Sequence, residues 1–176
     1  MLIQYQNKAF INENANIPEN NKITADDMNE IKNVVNGNYN ELKKSLITAK
    51  PESDIVSDGY SLAKYDLNEI LKVGDSFSII DGDIIIGKDV KYVKISTSAT
   101  FSEFNSGQIF LNLTKNDKEV ITVGVGSQTN AIMPFLNISP ILVEVKENDK
   151  ISLKFNAQYH QTSRKEMTLI TVERVA

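Results

Sequence analysis

The sequence predicts a mainly β protein, an antiparallel jelly-roll β-sandwich preceded by one N-terminal α-helix. Three observations carry that prediction. Beyond Tyr60 the chain breaks into about nine short runs of β-branched and aromatic residues, several of them alternating apolar and polar in the period of a strand with one buried face. Explicit turn signals separate the runs: Asp81-Gly82-Asp83, Asn116-Asp117 and Asn148-Asp149. A convincing helical pattern occurs in one place, over residues 23–50. So many short strands joined by tight turns bury their apolar faces best as two packed sheets.

Residues 1–22 are rich in Asn and Gln, with isolated apolar positions at Ile3, Tyr5, Phe10, Ile11 and Ile17. Such a segment buries little by itself and reads as an arm that orders against a partner, or as a frayed chain end. Residues 23–50 read as a helical stem. Thr24 suits the N-cap, Asp26 and Asp27 complement the first turn, and Lys43, Lys44 and Lys50 fall near the end. Ile31, Val35, Leu42 and Ala49, with Asn38 and Ser45 between them, form a thin heptad-like seam. A helix with so narrow a stripe is not stable alone, so it needs copies of itself or the β domain. In the first case Asn38 and Ser45 set the register; in the second the helix packs through Met28, Ile31, Val35, Tyr39, Leu42 and Leu46. Gly37 weakens the helix by about 1 kcal/mol relative to Ala. Pro51 terminates it, because the residue before a proline is pushed out of the α region.

Residues 51–72 read as a linker, with 62–71 ambiguous between a helical turn and an irregular edge, and residues 73–176 as the β head. Strands are expected at 77–80, 84–86, 91–98, 108–114, 119–125, 131–137, 141–146, 150–156 and 167–175. Residues 157–166 are expected to be a polar loop. If the last strand returns toward the stem, that loop lies at the far tip, together with residues 115–118 and 137–140.

Composition removes several functions. The net charge is −4 and the 19 Lys and Arg residues are scattered, so no basic stripe for nucleic acid is present. The absence of cysteine excludes disulfides, thiol catalysis and cysteine metal sites. No apolar run is long enough to span a bilayer, and the N-terminus lacks a signal-peptide pattern, so synthesis in a cytoplasm is expected. The sequons at Asn112 and Asn137 then read as chance. A single histidine, His160, cannot build a histidine metal cluster. Asp81 and Asp83, with Asp75 nearby, offer oxygens to calcium but lack the spacing of an EF-hand, and a tight turn is the plainer reading. Gly124-Val125-Gly126 lacks the following helix that a phosphate loop requires. No catalytic residue, metal ligand or cofactor is assigned. The loop residues Gln158, Tyr159, His160 and Arg164 combine an aromatic platform with polar neighbours, which suits a saccharide; a solvated hairpin loop is the plainer reading.

KYVKISTSATF, QIFLNLTKNDKEVITV, ILVEVKENDKISLKFNAQ and MTLITVERV, within residues 90–176, together resemble a C1q/TNF-like jelly roll. ITADDMNEIKNVVN, at residues 23–36, is similar to the start of phage tail and baseplate fibre proteins of low-GC Gram-positive bacteria. The two resemblances imply a homotrimer, with a stem through Ile31, Val35, Asn38 and Leu42 and a receptor-binding head. They imply a virion (tail) location, contacts with other tail or baseplate proteins through the N-terminal arm, and a host cell-wall saccharide as the head's ligand. Two alternatives stand beside this reading: a purely structural virion component whose head docks other tail proteins, and a bacterial surface protein with a similar head.

Overall fold

The computed structural model describes residues 25–41, 44–102, 107–126 and 134–175. The N-terminal arm, Thr24 and Leu42 lie outside the described residues. The chain divides into two compact units, Met1–Lys43 and Lys44–Ala176.

In the first unit, helix α1 spans Ala25–Glu41, with Asp26 and Asp27 in its first turn. It runs through Gly37 and contains Asn38. Its apolar residues Ile31, Val34 and Val35 are exposed, Ile31 by 55%. The helix is shorter than residues 23–50, and no basic residue falls in its last turn.

Residues Leu46–Pro51 form a strand, β1, where the helical stem was expected to continue. The reason lies in alternation. Ile47, Ala49 and Pro51 are buried while Leu46, Thr48 and Lys50 are half-buried, so the segment offers a sheet one fully apolar face. Ala49 is therefore a core residue rather than a seam residue. Ser45 belongs to the sandwich too: its buried hydroxyl donates to the Val73 carbonyl at 2.9 Å and accepts the Ser76 N–H at 3.2 Å.

The stretch 51–72 is not a linker. It contains β2 (Ile55–Ser57), β3 (Ala63–Lys64) and most of β4 (Leu67–Val73). The remaining strands are β5 (Phe77–Ile80), β6 (Asp83–Ile86), β7 (Tyr92–Thr100), β8 (Gln108–Lys115), β9 (Lys118–Gly126), β10 (Phe135–Glu144), β11 (Lys150–Ala157), β12 (Gln161–Ser163) and β13 (Leu169–Arg174). Residues 135–144 form one strand where two were expected. Pro140 lacks the N–H a ladder needs, and the register shifts between Ile138 and Ile141 instead of breaking.

Two antiparallel sheets result, ordered β10-β7-β13-β1-β4 and β5-β6-β11-β8-β9, with β3 added on β11 and β12 paired with β2. Apart from the β5–β6 and β8–β9 hairpins, the connections from β3 to β11 cross between the sheets, as in a jelly roll. The inward rows, among them Ile47, Val93, Ile95, Ile170 and Val172 facing Ile84, Leu111, Leu113, Ile151, Leu153 and Phe155, form one apolar core. Each such side chain contributes about 1.5–3 kcal/mol on burial. Phe155 is its centre, with ring centroids 5.7 Å from Tyr65 and 5.4 Å from Phe101.

The Arg174 N–H donates to the Ser45 carbonyl at 2.8 Å, so the chain enters and leaves the sandwich at one end. Segments 52–62 and 158–168 lie at the other, beyond the ends of β1 and β11 and the start of β13. The 158–160 turn is thus distal to Lys44. Residues 115–118 are not beside it, because β8 and β11 are antiparallel, with Lys115 opposite Ile151 and Ile109 opposite Ala157. Residues 137–140 lie within β10 rather than at a tip.

Candidate functional site

The distal end is built on two turns held together by backbone. One spans Asp58–Ser61, closed by the Ser61 N–H on the Asp58 carbonyl at 3.0 Å, with Gly59 at φ 58° and Tyr60 at φ 63°. The other comes after β11. The Tyr60 N–H donates to the Ala157 carbonyl at 2.7 Å, and the Gln158 N–H donates to the Gln108 carbonyl at 2.9 Å. Ser57 ties them further: its hydroxyl donates to the Ser61 carbonyl at 2.5 Å and accepts the Ala157 N–H at 3.0 Å.

This backbone carries Gln158, Tyr159 and His160 together, as the sequence suggests, and brings Tyr60 and Gln108 to them. Tyr159 is 55% exposed and Tyr60 45%. The Tyr60 phenol donates to Gln108 Oε1 at 3.2 Å. Gly107, at φ 98°, lies beneath Tyr159, where a Cβ would meet the ring's Cδ2 at 2.7 Å. His160 is largely exposed, its Nδ1 3.9 Å from Asp58 Oδ2.

Arg164 is not part of this group. The three residues of β12, paired with β2, intervene and put roughly 13 Å of extended chain between His160 and Arg164. Arg164 Nη1 instead meets Asp54 Oδ2 at 3.2 Å, while the Lys165 N–H donates to Asp54 Oδ1 at 2.8 Å. The Lys165 N–H bond, reinforced by Arg164, holds the Asp54 carboxyl below its ordinary value against the opposing effect of burial. The expected 157–166 loop is therefore a strand flanked by turns, closed by a 3-10 turn at Lys165–Met167.

Asp81 and Gly82 are the two left-handed residues of the tight β5–β6 turn, at φ 51° and 73°. The Lys64 ammonium clamps that turn, donating to the Asp81 carbonyl at 2.8 Å and lying 2.9 Å from Asp83 Oδ1, at an angle that makes the second contact an ion pair rather than a directed hydrogen bond. Among the described residues no group of three or more His, Asp or Glu side chains converges on a cation site. Gly124 lies in β9 opposite Phe110, where a Cβ would meet the ring at 2.6 Å; it is there for packing, not for phosphate.

A second surface is the outward face of the β10-β7-β13-β1-β4 sheet. One row across it reads Val73, Leu46, Glu173, Lys94 and Leu142; the next holds Leu71, Thr48, Thr171 and Ser96. Leu71, Val73, Tyr92, Leu142, Leu169 and Val175 are all exposed there, Leu142 by 65%. The other sheet's outward face is mixed, with Ile80 exposed and Phe110 half-buried on it. It carries Asn112, hydrogen-bonded to Asn156 at 3.0 Å and Thr122 at 2.7 Å, beside Thr114, Ser152 and Lys154.

No family model matches the sequence, and no curated protein matches it. Among solved structures the chain is similar to murine APRIL, with a TM-score of 0.61 and 9% identity over 76% of this chain and all of the other. It is similar to the Eiger TNF of S. frugiperda, with a TM-score of 0.56 and 8% identity over 76% of this chain and 92% of that one. The vertex protein P5 of PRD1 is a third, at a TM-score of 0.51 and 10% identity over 75% and 97% of the two chains. At these identities the likeness is one of fold: the Lys44–Ala176 unit is a TNF-like jelly roll.

Proposed function

We propose that the chain is a non-enzymatic phage virion protein, a tail or baseplate fibre. Its jelly-roll heads associate as a homotrimer and attach to a host cell-surface saccharide or polymer. The observation that carries the trimer is the outward face of the β10-β7-β13-β1-β4 sheet, which exposes Leu71, Val73, Tyr92, Leu142, Leu169 and Val175 around the Lys94–Glu173 ion pair. Exposed apolar side chains gathered on one face of a sheet mark a protein interface. The likeness to TNF folds and to a phage vertex protein supports a virion head of this architecture. In this reading the 1–22 arm contacts other tail proteins. Helix α1 assists the trimer through Ile31, Val35 and Asn38, in a stem of about five turns. Three sites on one rigid body give avidity for a repeating surface polymer.

The test is light scattering on the full chain and on a Leu71→Lys, Leu142→Lys variant. The unmodified chain should weigh three times 19.7 kDa and the variant one chain mass with unchanged far-UV circular dichroism. A monomeric wild type, or a trimer indifferent to both lysines, refutes the interface. The second reading, a structural component whose head docks other virion proteins, draws support from the vertex-protein likeness. The exposed tyrosines at the distal end favour attachment instead.

A further inference from the structure

We infer that Tyr60 and Tyr159 form the two-ring floor of a site for a neutral saccharide, with the Gln108 and Gln158 amides as its hydroxyl partners. This rests on the attachment reading above and names the chemistry of the distal surface.

The first observation is Tyr60 itself. It occupies the second central position of a two-residue turn in which both central residues have positive φ, where glycine or asparagine is the low-energy choice. A bulky residue there strains the backbone, and strain of this kind persists where the surroundings enforce it and a function uses it. The surroundings do enforce it, through the Ala157 carbonyl and the Ser57 hydroxyl. The strained residue then leaves its aromatic side chain nearly half exposed rather than in the core.

The second observation is Tyr159. Its ring is seated on Gly107 and exposed by 55%, so it is a supported plate rather than a free side chain. A pyranose presents an apolar C–H face to such rings and a rim of hydroxyls to amides, which can donate and accept at once. Gln108 stands between the two tyrosines, bonded to one through Oε1 and adjacent in sequence to the glycine under the other.

The third observation is charge. Among the described residues of this end, Arg164 is engaged with Asp54, and Lys165 with the Glu52 carbonyl at 3.4 Å. Asp58 adds a negative charge at the edge of the patch, 3.9 Å from His160. An anionic wall polymer would have to displace these pairings among the described residues, whereas a neutral glycan needs no counter-charge.

The fold permits a clean test. Tyr60→Asn removes the ring and suits the positive φ, so the variant should melt no lower than the wild type; Tyr159→Ala removes the second plate. The chain has 6 Tyr and no Trp, so tyrosine fluorescence reports on ligands. Titration of the full chain with chitotetraose, cellotetraose, maltotetraose and mannotetraose should give saturable binding to at least one, weakened about tenfold or more by either variant. Adsorption to purified Gram-positive cell walls is measured in parallel, with the bound tetrasaccharide and with polyphosphate as competitors. Wall binding that both variants retain, or that only polyphosphate displaces, overturns the neutral-sugar site and leaves the attachment reading standing. Tetrasaccharide binding without wall adsorption supports the site and overturns attachment to such walls. Binding to neither overturns both.

Discussion

Ser45→Ala separates two physical pictures of residues 44–51. In a helical stem Ser45 is a polar seam position, and alanine there improves both helix propensity and apolar packing. In the sandwich its hydroxyl is 1% exposed and bridges the Ser76 N–H at 3.2 Å and the Val73 carbonyl at 2.9 Å. Ser76 is itself buried, so alanine leaves a buried donor without its acceptor, at a cost of about 1–3 kcal/mol. For a unit the size of Lys44–Ala176 that corresponds to a fall in melting temperature of roughly 3–12 °C. The assay is thermal melting followed by near-UV circular dichroism, with the urea slope checked to be unchanged. Ser53→Ala on the exposed 52–54 segment serves as the control and should shift stability by less than about 0.5 kcal/mol. An unchanged or raised melting temperature for Ser45→Ala would refute the argument and return the residue to the stem.

Three further outcomes are expected. Phe155→Ala, at the fully buried meeting point of the Tyr65 and Phe101 rings, should cost about 3–5 kcal/mol in urea titration; a loss under about 1 kcal/mol would mean the core is elsewhere. Acid should destabilise the fold through Asp54, Asp117 and Asp149. The Lys165 N–H lowers Asp54 and the Lys154 ammonium lowers Asp117; burial pushes Asp149 up, but the Asn116 amide, the Lys146 N–H and neighbouring lysines outweigh it. Groups held below their unfolded value of 3.8 contribute stability that is full above that value and lost as pH falls through the lower folded one. The urea midpoint should therefore be lower at about pH 3 than at pH 6, with a smaller drop in Asp149→Asn; a midpoint that rises on acidification would contradict the assignment. Truncation supplies the last of these: a chain beginning at Lys44 should melt cooperatively. One beginning at Glu52 should not, because it lacks the strand that joins β13 to β4. Cooperative melting of both fragments would make β1 dispensable.

The parts of the fold legible in the sequence are those where burial is one-sided and the turns are marked. β7 and β11 alternate cleanly, and Asn116-Asp117 names its own hairpin. The first strands were hidden for opposite reasons. In β1, Leu46, Ile47 and Ala49 extend the helical spacing that precedes them, and only pairing on both edges makes a strand the better burial. In β4, Leu67, Ile70 and Leu71 stand at helical intervals, and only Leu67 faces the core, so no alternation is visible. The site divides in the same way. Gln158, Tyr159 and His160 are contiguous, and their turn could be placed from the strands around them. Tyr60 joins them through a backbone bond between residues 97 positions apart, which no local pattern announces, and Arg164 leaves them because the polar triplet Gln161-Thr162-Ser163 is a strand.

The mass of the isolated Lys44–Ala176 unit in solution tests the central claim most directly, because it asks whether the head associates without α1. The account predicts three times the fragment's chain mass, held by the outward face that carries Leu71 and Leu142. A fragment that folds and remains a monomer at concentrations where the full chain is trimeric would contradict it, and would move the trimer contact from the head to the helix.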